Sequence, residues 1–256
     1  MKICFFVFSF LTILFSCTPN NVQHADQLKK YFEEKNVEGC FALYNNASDD
    51  FTVYNLKRYR DSAFSPAATF DIVTMLIGLQ TGIVENENMK LKKNGLTVFE
   101  AFRDVNSFQE IAQNIGKSKL QFWIDSISYG SKKITTNEDS FWLDNSLKIT
   151  PDEQMGLLKK LYFNQLPFHQ RNQEIVKKAM LFENNTQYKL SYKIGVGKKE
   201  NGNSLAWIIG WVEENRHPYF FTINFETATI DLDLHATSLA ILKQILKEQG
   251  FLEGKM

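Results

Sequence analysis

The chain has 256 residues, of which 44% are hydrophobic and 14% aromatic, and its 29 basic and 29 acidic residues give a formal net charge of zero. This length and apolar content suffice for one large domain with a full core, or for two small ones. The neutral balance gives no reason to expect nucleic acid as a partner, and the 22 phenylalanines argue against a disordered chain.

The first 17 residues have the pattern of an export signal. Lys2 precedes an almost wholly apolar run over residues 3–15, which is too short to span a membrane comfortably. Residues 14–17, Leu-Phe-Ser-Cys, resemble a bacterial lipoprotein cleavage box, in which the cysteine becomes lipidated. We therefore expect residues 1–17 to be a lipoprotein-type signal peptide, with Cys17 anchoring the exported chain to the membrane of the bacterial cell envelope, in the periplasm. Secretion without a lipid is the alternative.

The rest of the chain is read as strands, then helices, then strands again. Residues 18–22 are expected to form a tether, 24–36 a surface helix, and 38–46 with 51–57 a β-hairpin. The later predicted elements are helices over 66–81, 97–103, 106–115, 118–127, 150–162 and 169–181, strands over 187–196, 205–213 and 219–226, and a helix over 237–249. This order indicates an α+β fold, with a central antiparallel sheet flanked by helices and an additional helical lobe.

The stretch from Phe64 to Gly82 is expected to form the central buried helix of the domain. Pro66 stands near its start, and a long apolar run follows Phe70. Proline suits the first turn of a helix, where its missing N–H costs nothing, and a helix that is apolar on most sides is buried. We expect the first residues of this helix to lie at the floor of a cleft.

Several sequence motifs resemble those of one enzyme family. The sequence contains four motifs that are similar to those of class D (oxacillinase-type) serine β-lactamases. They are FSPAATF and IGLQTG in the central stretch, Phe141-Trp142-Leu143, and the strand WIIGWVE. The resemblance covers residues 38–252 and implies that residues 18–256 form one domain with the β-lactamase and penicillin-binding transpeptidase-like fold. The four histidines have no ligand spacing, so we expect neither a metal nor a cofactor.

The two reactive residues of that family are replaced. The family's helix carries a serine that becomes acylated and, three residues later, a carbamylated lysine that acts as the general base; these positions are Ala68 and Asp71 here. Residues three apart share one helix face, and a hydroxyl needs an adjacent base to become a nucleophile. The methyl group of Ala68 offers nothing to activate. The hydroxyls of Ser62, Ser65 and Thr69 are not expected to substitute for the missing serine.

The other functional motifs of that family are also altered in this sequence. The corresponding residues are Arg103, Val105 and Ser107 for Ser-x-Val, Tyr129, Gly130 and Ser131 for Tyr-Gly-Asn, Lys193, Ile194 and Gly195 for Lys-Thr-Gly, and Ser238 for the arginine that holds the substrate carboxylate. The resemblance also implies an oxyanion hole of backbone N–H groups, at Ala68 and near Val196. It places Lys193 in the cleft, whereas Trp142 is either a cleft residue or part of the core.

A carboxylate at the start of a buried helix is costly unless it is paired. We therefore predict that Asp71 pairs with Lys193 across the cleft. Three functions remain open: an envelope pseudoenzyme that holds a β-lactam or peptidoglycan-like ligand without acylation, a weakly active β-lactamase, and a structural or interaction lipoprotein with a vestigial cleft. The loss of the nucleophile and of the base favours the first, without hydrolytic activity.

Overall fold

The structure is a computed structural model, and it describes residues 21–103, 108–135 and 140–253. The predicted signal peptide with Cys17, and the positions Val105 and Ser107, lie outside the described residues.

A seven-stranded sheet forms the centre of the part of the chain that the structure describes. Its strands are β1 (Val22–His24), β2 (Glu38–Asn45), β3 (Asp50–Tyr54), β4 (Leu181–Asn184), β5 (Lys189–Lys198), β6 (Ser204–Glu214) and β7 (His217–Thr227). They lie in the order β1-β3-β2-β7-β6-β5-β4, and every neighbouring pair is antiparallel except β1 with β3. The predicted α+β fold with a central antiparallel sheet is confirmed.

Helices cover both faces of the sheet. They are α1 (Lys29–Glu33), α2 (Leu56–Asp61), α3 (Asp71–Gln80), α4 (Val98–Arg103), α5 (Gln109–Ile115), α6 (Lys117–Ser126), α7 (Pro151–Tyr162), α8 (Gln170–Met180) and α9 (Leu234–Glu248). Within the described ranges, no helix has the length and apolar character needed to cross a membrane.

The period of two along the central strand divides the core into two layers. Trp207, Ile209 and Trp211 of β6 face the cluster that contains α3, whereas Ile208 and Val212 face the cluster built with α1 and α9. Successive side chains of a strand point to opposite faces, so a continuous apolar run such as that of β6 marks a strand that is buried on both sides. The 3₁₀ turn over Ala67–Phe70, which leads into α3, contacts β5 and β6, whereas the buried α3 packs mainly against α5, α6 and α8.

Four local predictions are corrected. The strand expected over 51–57 ends at Tyr54, because Asn55 takes a left-handed conformation, with φ of 56°, and its side chain accepts the N–H of Arg58 to start α2. The expected tether contains the beginning of β1, and the long surface helix is reduced to a 3₁₀ turn and α1. The chain also passes directly from α8 into β4, a strand that the sequence did not predict.

The start of α7 agrees with its prediction in detail. The Thr150 hydroxyl accepts the N–H of Glu153, and the Glu153 carboxylate accepts the N–H of Thr150, which together form a capping box. Pro151 occupies the first turn. These contacts lie within four residues of sequence, which is why the sequence alone suffices to predict them.

Gly130 lies at a turn that only glycine fits. Its φ is +48°, and a Cβ atom added there would lie 2.2 Å from the carbonyl oxygen of Lys148. Gly82 has a similar φ of +73° but open space around it. A comparison of substitutions at Gly82 and Gly130 therefore distinguishes the free-energy cost of the left-handed conformation from that of a steric clash.

We expect Gly82→Ala to lower the free energy of unfolding by roughly 1–2 kcal/mol, the cost of the left-handed conformation alone. Gly130→Ala should lower it by about 3 kcal/mol or more, because the clash with Lys148 adds an overpacking cost. Urea unfolding of the two variants beside the unaltered protein measures both losses. Equal losses would contradict the steric account.

Candidate functional site

The residues before α3 form a strained turn. Ala67–Phe70 is a 3₁₀ turn, and Ala67 has φ of +48°, in the left-handed region that costs a residue with a Cβ about 1–2 kcal/mol. Its amide donates to the carbonyl oxygen of Trp142 at 3.1 Å, and the Ser65 hydroxyl donates to the same oxygen. Ala68 follows with only 3% of its surface exposed. Such backbone strain is frequent at functional sites. Here the residue that follows the strained position, Ala68, carries only a methyl group.

The hydroxyls nearest to Ala68 are occupied. Ser65 is buried and bonded to Trp142. The buried Thr69 donates its Oγ1 proton to the carbonyl oxygen of Pro66 at 2.6 Å, and the same Oγ1 accepts from Nε2 of Gln154 at 2.8 Å. Neither hydroxyl is placed beside a base, so neither is arranged as a nucleophile.

Asp71 and Lys193 form the predicted ion pair. Oδ2 of Asp71 lies 2.8 Å from Nζ of Lys193, and each side chain is 4% exposed. Nζ also donates to the carbonyl oxygen of Phe102 and lies 4.6 Å from the centroid of the Phe102 ring. The pair thus joins the start of α3, the middle of β5 and the end of α4 in a site that is almost closed to bulk water.

Burial decides the acidity of this pair. Removal from water raises the pKa of the Asp71 carboxyl above its ordinary 3.8, while the charge of the Lys193 ammonium and its hydrogen bond act in the opposite direction. Because the raised pKa is the net result, folding disfavours the ionised carboxylate despite its partner. Buried ion pairs commonly recover less from their attraction than they lose by desolvation.

Strand β5 lies directly against the strained turn. A Cβ atom on Gly195 would lie 2.6 Å from the amide nitrogen of Thr69 and 3.1 Å from that of Ala68, so glycine permits this approach. Lys193 and Gly195 lie two apart and face the turn, whereas Ile194 and Val196 are half-buried and pack against the cluster beneath α9. The Ala68 amide is therefore beside β5, as an oxyanion hole between them would require.

Trp142 belongs to an aromatic cluster around Phe70. Its ring stacks on that of Phe70 at 5.3 Å between centroids, and the rings of Phe141 and Tyr129 meet Phe70 edge-on at 5.2 and 5.5 Å. Trp142 is 3% exposed. Burial raises the pKa of the Tyr129 phenol. Of the two interpretations of Trp142, the packing favours the core.

The segment after Tyr129 holds another loop in place. The Ser131 amide donates to the Lys148 carbonyl oxygen at 2.7 Å, and the Lys148 amide donates to Oγ of Ser131 at 3.0 Å. Gly130 makes this approach possible. Gly130 and Ser131 therefore act as a joint between two loops, while Tyr129 alone reaches the Phe70 cluster.

Ser238 is the position that the resemblance assigns to the arginine that holds the substrate carboxylate. Its side chain does not face an opening. Its side chain is buried, and its Oγ donates to the carbonyl oxygen of Leu234 one turn earlier in α9 at 2.7 Å. Arg103 is the exposed cation on the opposite side. Its Nη2 donates to the carbonyl oxygen of Leu181 at 2.7 Å, and its guanidinium carbon lies 4.5 Å from the centroid of the Phe182 ring.

A cavity of about 240 Å³ lies between these two sides. Its lining comes from α4, β4, β5 and the start of α9, and consists of Phe102, Arg103, Phe182, Tyr192, Lys193, Ile194, His235, Ala236 and Leu239. Ala68 and Asp71 are not part of that lining, whereas Lys193 belongs both to the lining and to the ion pair. No sequence signal pointed to Phe182 and Tyr192, because β4 was not predicted and their contact crosses two strands.

Comparisons with known proteins agree with this architecture. Residues 32–248 match the penicillin binding protein transpeptidase domain. The chain is 35% identical over 233 residues to beta-lactamase OXA-48 of Klebsiella pneumoniae, with 86% of each chain covered. The structure of FUS-1 (OXA-85), a class D beta-lactamase from Fusobacterium nucleatum subsp. polymorphum, is similar with a TM-score of 0.82 at 29% identity, covering 90% of this chain and 100% of that one.

A receptor domain is about equally similar in shape. The C-terminal domain of the Bacillus licheniformis BlaR penicillin-receptor has a TM-score of 0.81 at 28% identity, covering 90% of this chain and 97% of that one. The sheet, the strained turn before α3 and these similarities define a penicillin-recognising fold. The chain belongs to the penicillin-binding transpeptidase-domain family, in the branch of the class D β-lactamases.

A double-mutant cycle tests the buried pair. Asp71→Val or Lys193→Met alone leaves one charge buried without its partner, and each should lower the free energy of unfolding by about 3–5 kcal/mol. The combined variant should unfold within about 1 kcal/mol of the unaltered protein, or be more stable, because neither desolvated charge remains. Chemical denaturation of all four proteins gives the coupling free energy.

The exposed pair of Lys29 and Glu33, 2.7 Å apart on α1, supplies the control. Lys29→Met should change stability little, because this pair stays in water. Additive losses in the Asp71 and Lys193 cycle would contradict the description of a coupled buried pair.

Proposed function

We propose that this protein is a pseudoenzyme of the class D fold, which binds a ligand without acylation and does not hydrolyse β-lactams. The observation that carries the proposal is the state of the site. The nucleophile position is the buried methyl group of Ala68, and the base position, Asp71, is bound to Lys193 at 2.8 Å. Both chemical roles needed for acylation are therefore vacant.

The remaining parts of the site support binding and not turnover. The Ala68 amide stays beside β5 at Gly195, and the family resemblance implies that this amide and one near Val196 are the two donors that polarise a carbonyl group. Without a nucleophile no tetrahedral intermediate arises for them to stabilise. The neighbouring hydroxyls of Ser65 and Thr69 are bonded to backbone oxygens. This combination fits a protein that retains recognition and lacks reaction.

The similarity to the BlaR penicillin-receptor domain also supports a binding role, because a protein described as a receptor has the same fold. The alternative of a weakly active β-lactamase rests on the similarity to OXA-48. The alternative of an interaction lipoprotein with a vestigial cleft rests on the burial of Ala68 and Asp71. The pattern of residues 1–17 supports export and lipid anchoring at Cys17 in the cell envelope.

Mass spectrometry of the intact protein after incubation with benzylpenicillin tests the absence of acylation. We expect no mass increase and no hydrolysis of a chromogenic cephalosporin, because Ser65 and Thr69, the hydroxyl residues described beside Ala68, are bonded to backbone oxygens and not to a base. An active class D β-lactamase treated in parallel shows that the assay detects an adduct and turnover. A stoichiometric adduct on this protein would refute the proposal.

The variant Ala68→Ser with Asp71→Lys tests whether the other losses matter. It restores the two reactive residue types, yet Ile194 and Ser238 still supply no contact to a substrate carboxylate, and the introduced lysine would face Lys193 in a buried site. We expect chromogenic turnover to stay at least a hundredfold below that of OXA-48. Turnover within tenfold of OXA-48 would show that those losses are unimportant.

A further inference from the structure

We propose that the cavity of about 240 Å³ bounded by α4, β4, β5 and α9 binds a small apolar monocarboxylate, and that Arg103 is its anion anchor. This inference rests on the proposed function, because it names the class of ligand that a non-acylating site would hold. The anchor comes from α4 and not from α9, whose Ser238 is turned into the core. Three features carry it: how the guanidinium is held, which charges surround it, and what forms the walls.

The Arg103 guanidinium is held in place by two contacts. Nη2 donates to the Leu181 carbonyl oxygen at 2.7 Å, and the planar group lies over the Phe182 ring at 4.5 Å. Phe182 in turn stacks on Tyr192 with 4.2 Å between centroids and 12° between planes. One of the five N–H donors of a guanidinium is used by Leu181, so the group keeps the capacity for a bidentate contact to a carboxylate.

The charges around the cavity favour an anion. None of its lining residues, as the structure describes them, is acidic. Two carboxylates that are bonded or adjacent to lining residues are each paired with a lysine. Asp71 is bound to the lining residue Lys193, and Glu183, next to Phe182, accepts hydrogen bonds from Nζ of Lys243 at 2.7 Å and from the Tyr188 hydroxyl at 2.7 Å.

The first turn of α9 adds a second favourable field. His235 and Ala236 line the cavity from the N-terminal end of this 15-residue helix, where the helix dipole is positive. Asp233 accepts the N–H of Ala236 at 2.9 Å as the cap and lies outside the lining. The cavity thus has the Arg103 cation on one side and, on the other, a helix end whose positive dipole is partly offset by the Asp233 carboxylate.

The walls and the volume restrict the rest of the ligand. Phe102, Phe182, Tyr192, Ile194 and Leu239 supply mostly apolar and aromatic surface. The volume lies below the roughly 300–1,000 Å³ of pockets that hold drug-sized molecules. A carboxylate on a single ring or a short branched chain matches both the size and the chemistry, and phenylacetate is the simplest probe of this class.

Isothermal titration calorimetry with phenylacetate and with the neutral phenylacetamide tests the proposal on the full folded protein. Phenylacetate should bind, and phenylacetamide should bind at least tenfold more weakly, because it lacks the charge that the guanidinium recognises. Arg103→Met should weaken phenylacetate binding at least tenfold and leave the weak binding of phenylacetamide unchanged. Arg103→Lys should show an intermediate loss, since an ammonium keeps the charge without the fork.

Two further variants keep the test decisive. Arg171→Met removes an exposed arginine on α8, outside the cavity, and should leave the affinity for phenylacetate unchanged. Leu239→Trp fills the cavity from α9 and should abolish the binding of both probes. Equal affinity for acid and amide, or unchanged binding by Arg103→Met, would overturn the inference. A penicillin adduct in the mass measurement would instead refute the non-acylating function, so the two failures are distinguishable.

Discussion

The site depends on one buried ion pair. Asp71 at the start of α3 and Lys193 in the middle of β5 lie 2.8 Å apart, and the Phe102 carbonyl oxygen brings the end of α4 to the same ammonium. Three elements from distant parts of the sequence therefore meet at one charge. Because a buried charge without a partner is so costly, each element constrains the position of the other two. The pair includes Asp71, the position that the family resemblance assigns to the general base.

The same physical rule explains why this part of the site could be predicted from the sequence. A carboxylate on an otherwise apolar helix demands a cation, and the family resemblance left Lys193 facing it. The capping box at Thr150 was predictable for a related reason, since its contacts span four residues and depend on local chemistry alone. Apart from β1, α2 and β4, the order of strands and helices likewise followed from hydrophobic periodicity.

The features that escaped prediction depend on contacts between distant segments. Arg103 and Ser238 could be assigned to the cleft region from the sequence, but their orientations could not. Ser238 turns into the core because of its register on α9, and Arg103 gains its place from Phe182, which lies on a strand that immediately follows α8. A four-residue strand without clear alternation has too weak a pattern to be recognised. The aromatic stack that supports the proposed ligand site is therefore visible only in three dimensions.

The left-handed backbone of Ala67 is maintained by contacts that involve no catalytic group. The turn is fixed by Trp142, by Ser65 and by the closeness of Gly195 to the amides that follow, and none of these contacts involves a reactive group. The contacts that fix this turn therefore do not depend on the side chains of Ala68 and Asp71. A TM-score of 0.82 against a class D β-lactamase therefore describes the course of the backbone, and the chemistry depends separately on the side chains at Ala68 and Asp71.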